Sequence, residues 1–310
     1  MEVTERPKFK DPKLTAKGEK RATVELKNLH TLWFNTGTRC NLTCENCYIE
    51  SSPDNDRLVY LEVSDVEPYL NEIKQSNLPT KEIGFTGGEP FLNPKMADIL
   101  STTLEHGFSV LVLTNAMRFK PRLQQRLIAL NKAFPNKITM RISIDHHSQA
   151  LHEEERGSGS WQPMIEGMQW LAESGFQIDV AGRTRWGENE DDLRQGYEKL
   201  FADLAIPLNA WDEQHLVLFP EMDESAPVPE ITTECWGILG VNPDAMMCAS
   251  SRMVVKHKGD QETSVMACTL LAYDQQFNLG KTLAEASQAV PLNHPHCAKF
   301  CVLGGGSCSA

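Results

Sequence analysis

No apolar run in this 310-residue sequence approaches the roughly 18 residues that a membrane-spanning helix needs. The opening stretch, MEVTERPKFKDPKLTAKGEKR, is charged and lacks the apolar segment of a secretory signal. Together these absences exclude a membrane partner of the spanning kind and point to the cytoplasm. A basic stripe is also missing. Lys and Arg number 30 against 42 Asp and Glu, a net charge of −12, so nucleic acid is excluded as a partner on electrostatic grounds. Neither an internal repeat nor a low-complexity tract interrupts the chain. What remains, 41% hydrophobic and 23% charged, can bury a substantial core in one or two domains.

The nine cysteines are the feature that stands out. An odd count, close clustering and the missing signal argue against a disulfide framework. Cys40, Cys44 and Cys47 fall within eight residues; Cys235, Cys248, Cys268, Cys297, Cys301 and Cys308 all lie in the last quarter. Clustered thiols in a reducing compartment are more often metal ligands than bridges. Two metal regions are therefore expected.

Residues 1–30 read as an irregular extension, with Ala22–Leu26 able to add a short strand. From Thr31 onward β-rich runs alternate with amphipathic stretches of helical length. Strands are predicted at Thr31–Asn35, Glu82–Phe85, Ser109–Leu113, Ile138–Ile144, Gln177–Ala181 and His215–Phe219. Helices are predicted between them at Ser64–Gln75, Pro94–His106, Pro121–Phe134, Ser160–Ser174 and Asn189–Leu204. Ser64 and Asn93 are the expected caps, with Gly107 and Gly175 just past helix ends. Alternation of this kind implies βαβ units and a parallel sheet. Six units suit a partial (β/α)6 barrel over residues 31–220, because eight close a full one. An open doubly wound sheet gives the same linear pattern. Residues 221–230, rich in Pro and acids, read as a linker to a small cysteine-rich domain at 231–310.

The segment Thr38-Arg-Cys40-Asn-Leu-Thr-Cys44-Glu-Asn-Cys47-Tyr48 directly follows the first strand, where parallel α/β folds carry their active loops. Three thiolates can wrap a cubane iron–sulfur cluster and leave one iron open to a small chelating ligand. Structural zinc usually takes four ligands from paired hooks, which a triplet without a nearby fourth Cys or His does not provide. The triplet followed by Tyr48 resembles the signature of radical S-adenosylmethionine (SAM) enzymes, and the resemblance continues downstream. Thr86-Gly-Gly-Glu-Pro90 is similar to the family's GGEP motif, which receives the SAM methionyl amine. Gly87 and Gly88, lacking Cβ, let backbone approach a ligand, and Glu89 offers an acceptor for an ammonium. Leu113-Thr-Asn115 is similar to TNG, with Ala116 in place of the final glycine. Ser143 and Asp145 end the fourth strand, Arg156-Gly157 resembles a following "RG", and Arg183 or Arg185 on the fifth strand would meet the SAM carboxylate.

This resemblance, over about residues 31–220, implies a partial barrel of the radical SAM type. It assigns Cys40, Cys44 and Cys47 to a [4Fe–4S] cluster, and Tyr48, Gly87, Gly88, Glu89, Pro90, Asn115, Ser143, Asp145 and Arg183 to SAM. It further implies that a reduced cluster cleaves SAM to a 5′-deoxyadenosyl radical that abstracts hydrogen from substrate. An electron donor such as flavodoxin or ferredoxin would supply the reducing electron.

The last quarter resembles the SPASM/Twitch extension of such enzymes: Cys248, a hairpin with Gly259, Cys268, "LG" before a short helix, then Cys297, Cys301 and Cys308 around Gly304–Gly306. A full SPASM domain needs more cysteines than are present, so one further [4Fe–4S] cluster is implied. Cys248, Cys268, Cys297 and Cys301 follow the Twitch order, with Cys308 as competitor and Cys235 left over. Zinc is the alternative occupant, given His294 and His296 nearby. A second cluster implies net oxidation, and the short extension at 1–30 tilts the expectation toward a small molecule. A peptide-modifying maturase, SAM-dependent group transfer and a non-enzymatic electron carrier are the alternatives.

Overall fold

The computed structural model describes residues 7–221 and 227–306. A short strand β1 (Thr23–Val24) comes first, followed by six parallel strands. These are β2 (Thr31–Asn35), β3 (Glu82–Thr86), β4 (Ser109–Thr114), β5 (Ile138–Ser143), β6 (Gln177–Arg183) and β7 (Leu216–Phe219), and each pairs with the next in sequence order. All five residues of β2 are buried, the pattern of a strand covered on both faces. Trp33 on β2 is fully buried; its ring occupies the space where a side chain on Gly84 of β3 would stand. Burying such a side chain stabilises the fold by about 2–3 kcal/mol.

Helices α1 (Val63–Gln75), α2 (Met96–Glu105), α3 (Pro121–Ala133), α4 (Gln149–Arg156), α5 (Trp161–Glu173) and α6 (Glu190–Asp203) fill the crossovers. Every predicted strand and helix has its counterpart, with ends displaced by a residue or two. α4 was not predicted: its sequence, QALHEEER, buries only His152 and Glu155, too few apolar positions to show a period. The expected caps differ too. Glu62, not Ser64, begins α1, and its amide donates to the Asp65 carboxylate at 2.9 Å. Asn93 instead ties loops together, donating to Leu61 O at 2.9 Å and Thr36 O at 3.3 Å. Gly107 and Gly175 do sit past helix ends with φ of 92° and 73°.

The region 231–310, expected as a small separate domain, is joined to the barrel sheet. β8 (Ser251–Val255) pairs in parallel with β2, Thr31 opposite Ser251, and β9 (Ser264–Met266) returns antiparallel beside it. The sheet therefore has eight strands in the order β7-β6-β5-β4-β3-β2-β8-β9. A last strand, β10 (Val290–Pro291), pairs with β1, inside the predicted Ala22–Leu26. Of the expected linker, residues 222–226 lie outside the described residues. No described helix is long and apolar enough to cross a membrane.

Candidate functional site

Parallel pairing in near register sets the ends of β2 to β7 on one rim, with Asn35 opposite Thr86 and Ser143 opposite Ala181. The cysteine loop leaves this rim from β2 and is held from three sides. The Cys40 amide donates to Ser52 O at 3.0 Å, Glu45 N to Glu155 O at 2.9 Å, and the amides of Gly88 and Glu89 to Gly37 O and Arg39 O at 2.8 and 3.1 Å. A Cβ on Gly87 would stand 2.5 Å from Gly37 O, and one on Gly88 would collide with Arg39 O. The two glycines thus admit the cysteine loop itself, a role the sequence reading assigned only to a ligand.

Cys40, Cys44 and Cys47 open onto a cavity with about 1060 Å³ of empty space, counted to its open mouth. Tyr48, Gly87, Gly88, Asn115, Ser143, Asp145 and Arg183 also line it, so seven of the nine residues assigned to SAM meet on one wall system. Burial pushes the Cys40 thiol up to about 12 and raises Cys44 as well, with the Arg156 guanidinium opposing both shifts. Amides of Leu42 and Ser51 point at the sulfurs of Cys40 and Cys47, at 3.4 and 3.3 Å.

The other two, Glu89 and Pro90, lie behind the wall. The Glu89 carboxylate is 2% exposed and already engaged. It accepts from Phe91 N at 3.0 Å, Thr114 Oγ1 at 2.9 Å and Asn115 N at 2.9 Å, and burial raises its pKa. It fastens the β3 loop to the β4 loop. Asp145 is likewise occupied: Arg156 Nε approaches it at 2.5 Å and Arg183 Nε at 3.3 Å. Burial alone would raise its pKa, but the two guanidiniums hold it below the usual carboxylate range. Of the two candidate arginines, Arg183 lines the cavity, while Arg185 turns away to pair with Glu155 and Glu45. Ala116 has φ of 58°, the left-handed conformation that explains why a glycine suits this position.

Sequence reasoning missed Glu155. Its buried carboxylate accepts from Asn46 N and Nδ2, both at 3.0 Å, and faces Arg183 Nη1 at 3.6 Å, so α4 clamps the cysteine loop. In the run EEER it reads as a solvated face, and only a recognised α4 would have flagged it. His146, after Asp145, accepts the Ser148 amide on Nδ1 at 2.9 Å, so its proton sits on Nε2, 2.8 Å from Glu188. The ligand atoms of His146, His147 and Glu188 lie within 4.8 Å of one another, yet this tautomer leaves His146 no lone pair for a metal.

A second cavity, about 400 Å³ of empty space, is lined by Cys248, Cys268, Cys297 and Cys301 together with Met246, Met247, Leu271, Leu292 and His296. The four expected ligands therefore converge. Burial lifts Cys248 to about 11 and Cys297 well above the thiol range, the latter helped by Cys268 and Cys248. Cys235 lies apart, its sulfur accepting from Thr232 N at 3.3 Å; Cys308 lies outside the described residues. No disulfide joins any two of the eight described cysteines. Leu270 lines both cavities, and Phe300, between Cys297 and Cys301 in sequence, lines the first.

The model of the radical SAM superfamily matches residues 34–195. Among curated proteins, the antilisterial bacteriocin subtilosin biosynthesis protein AlbA of Bacillus subtilis is 30% identical over 149 residues, 48% of this chain and 32% of AlbA. The mycofactocin maturase MftC of Mycobacterium tuberculosis is 28% identical over 138 residues, 44% of this chain and 33% of MftC. The matches thus span about a third of those relatives' length. Streptococcus suis SuiB bound to S-adenosylmethionine superposes with a TM-score of 0.60 at 13% identity, covering 82% of this chain and 63% of SuiB. The enzyme anSMEcpe with bound AdoMet gives 0.58 at 14% identity, covering 83% and 76%. At these identities the likeness establishes the fold. The superfamily binds a [4Fe–4S] cluster and SAM. Both cysteine sets fit a cluster better than a single metal ion. Tetrahedral zinc at about 2.3 Å would draw its sulfurs to about 3.8 Å apart, and no three described cysteine sulfurs lie within 4.8 Å of one another.

Proposed function

The chain belongs to the radical SAM superfamily, and from that premise we propose that it oxidises a peptide side chain and passes an electron to a second cluster. The observation that carries this reading is the shared wall: Leu270 borders both the charged cavity at Cys40–Cys47 and the cavity of Cys248, Cys268, Cys297 and Cys301. A substrate in the first cavity would lie one side chain from an electron acceptor in the second.

Cys40, Cys44 and Cys47 would hold the first cluster, whose chemistry when bound is one-electron reduction of SAM to give a 5′-deoxyadenosyl radical. Tyr48, Gly87, Gly88, Asn115 and Ser143 border the SAM site. Asp145, fixed by Arg156, sets the Arg183 guanidinium at the cavity wall, where its positive charge would attract the SAM carboxylate. Glu89 acts from behind, holding Asn115 and the β3 loop in place. Cys248, Cys268, Cys297 and Cys301 would hold the second cluster, in a mostly apolar wall without Asp, Glu, Lys or Arg.

A peptide is favoured over the small molecule expected from the sequence because the similar proteins include a bacteriocin biosynthesis protein and a maturase. The test is anaerobic reconstitution of the full chain with iron and sulfide, scored for iron and for 5′-deoxyadenosine. About eight iron atoms per chain and SAM cleavage stimulated by a synthetic precursor peptide are expected. About four iron atoms, or cleavage stimulated only by small alcohols, would overturn the respective parts.

A further inference from the structure

Four arginines are buried in the described chain: Arg21, Arg141, Arg194 and Arg252. Three have a carboxylate partner, Arg21 with Glu230 at 2.5 Å, Arg141 with Asp179 at 3.4 Å and Arg194 with Glu190 at 2.7 Å. Arg252 on β8, 1% exposed, has none among the described residues. Its guanidinium donates only to main-chain carbonyls: Nε to Ala286 O at 2.9 Å, Nη1 to Cys248 O at 2.5 Å and Ser251 O at 2.8 Å, and Nη2 to Gln288 O at 3.2 Å.

Those bonds use four of the five guanidinium N–H groups but leave the net charge uncompensated, and an unpaired buried charge is costly. The nearest chemistry able to balance it is the cysteine set that begins with Cys248, whose own carbonyl the guanidinium touches. A cubane bound by four thiolates is anionic in both oxidation states and more so when reduced. A fixed cation beside it, in a water-poor interior, favours the reduced state.

We propose that Arg252 is the counter-charge of the second cysteine site and raises the reduction potential of the cluster held there. This rests on the reading of that site as cluster-binding. In electron transfer across Leu270, Arg252 is a positioning and tuning residue that makes the second cluster a better acceptor.

The experiment uses the full chain carrying Cys40→Ala, Cys44→Ala and Cys47→Ala, reconstituted anaerobically, so that only the second cluster is read. Iron content and an EPR-monitored redox titration are compared for this parent and for Arg252→Gln, Arg252→Met and Arg252→Lys. The neutral variants should titrate at a potential lower by at least a tenfold change in the one-electron equilibrium, 59 mV, while Arg252→Lys stays near the parent. If the neutral variants fail to take up iron and Arg252→Lys succeeds, the charge requirement is equally supported. Neutral variants that load iron and titrate with the parent overturn the proposal. So does failure of Arg252→Lys alongside the neutral variants, because the guanidinium then serves its carbonyl partners alone. A parent without iron instead refutes the cluster reading beneath it.

Discussion

The two cysteine regions adjoin across Leu270 and are made of opposite materials. Around Cys40, Cys44 and Cys47 stand Asp145, Arg156, Arg183 and, behind the wall, Glu89 and Glu155, a dense set of polar groups in which the two guanidiniums face Asp145 and Glu155. Around Cys248, Cys268, Cys297 and Cys301 the lining is methionine, leucine, valine and the single imidazole of His296, with one arginine behind it. The contrast supports the proposed division of roles. Under that proposal the paired charges fix a polar wall for a zwitterionic ligand. An apolar wall suits a group that stays and exchanges only electrons.

The strongest way to break this contrast is to remove the first set of thiols. Replacing Cys40, Cys44 and Cys47 with Ala is expected to abolish 5′-deoxyadenosine formation while about four iron atoms per chain remain; retained cleavage, followed by chromatography, would show the triplet misassigned. The reciprocal change, Cys268→Ala, should remove about one cluster's iron while the first site still binds SAM in an equilibrium binding assay. Unchanged iron would reject Cys268 as a ligand.

The charged side is sharpened by Arg156→Ala, which leaves Asp145 with Arg183 alone. A loss of about 3 kcal/mol in urea unfolding of the iron-free chain is expected, and a change below about 1 kcal/mol would mean that solvent already screens the pair. Near neutral pH the smallest effect concerns His152, buried with neither ring nitrogen hydrogen-bonded among the described residues. Burial first, and then Arg156, lower its pKa from 6.5 to about 3. The unfolded chain then binds the extra proton first, so this residue removes stability as pH falls from about 6.5 toward 3, approaching about 1.4 kcal/mol per pH unit. His152→Phe, packed on Trp161, should flatten that part of the stability–pH curve; an unchanged slope would place the titration elsewhere.

The barrel was legible because its strands are buried on both faces and read as unbroken apolar runs, as in Thr31–Asn35 and Ser109–Thr114. The cysteine triplet was legible because spacing along one loop survives folding. Long-range pairing was not: nothing local in Ser251–Val255 says that it lies beside β2 rather than in its own domain. Nor could the sequence distinguish a glutamate that meets a ligand from one that holds a loop. Glu89 is separated from Thr114 and Asn115 by a whole βα unit, and only their meeting shows where its oxygens point. Arg252 was silent for the same reason, because its lack of a carboxylate partner among the described residues is visible only once its neighbours have been placed.

The placement of β8 has a further consequence for how the molecule may be cut. With Ser251–Val255 removed, β2 becomes the outermost strand, its amides and carbonyls unpaired along one side. An unprotected apolar edge of that kind recruits other chains. A fragment ending at the barrel would therefore tend to self-associate through the strand that carries the cysteine loop, so β8 guards that edge as well as completing the sheet.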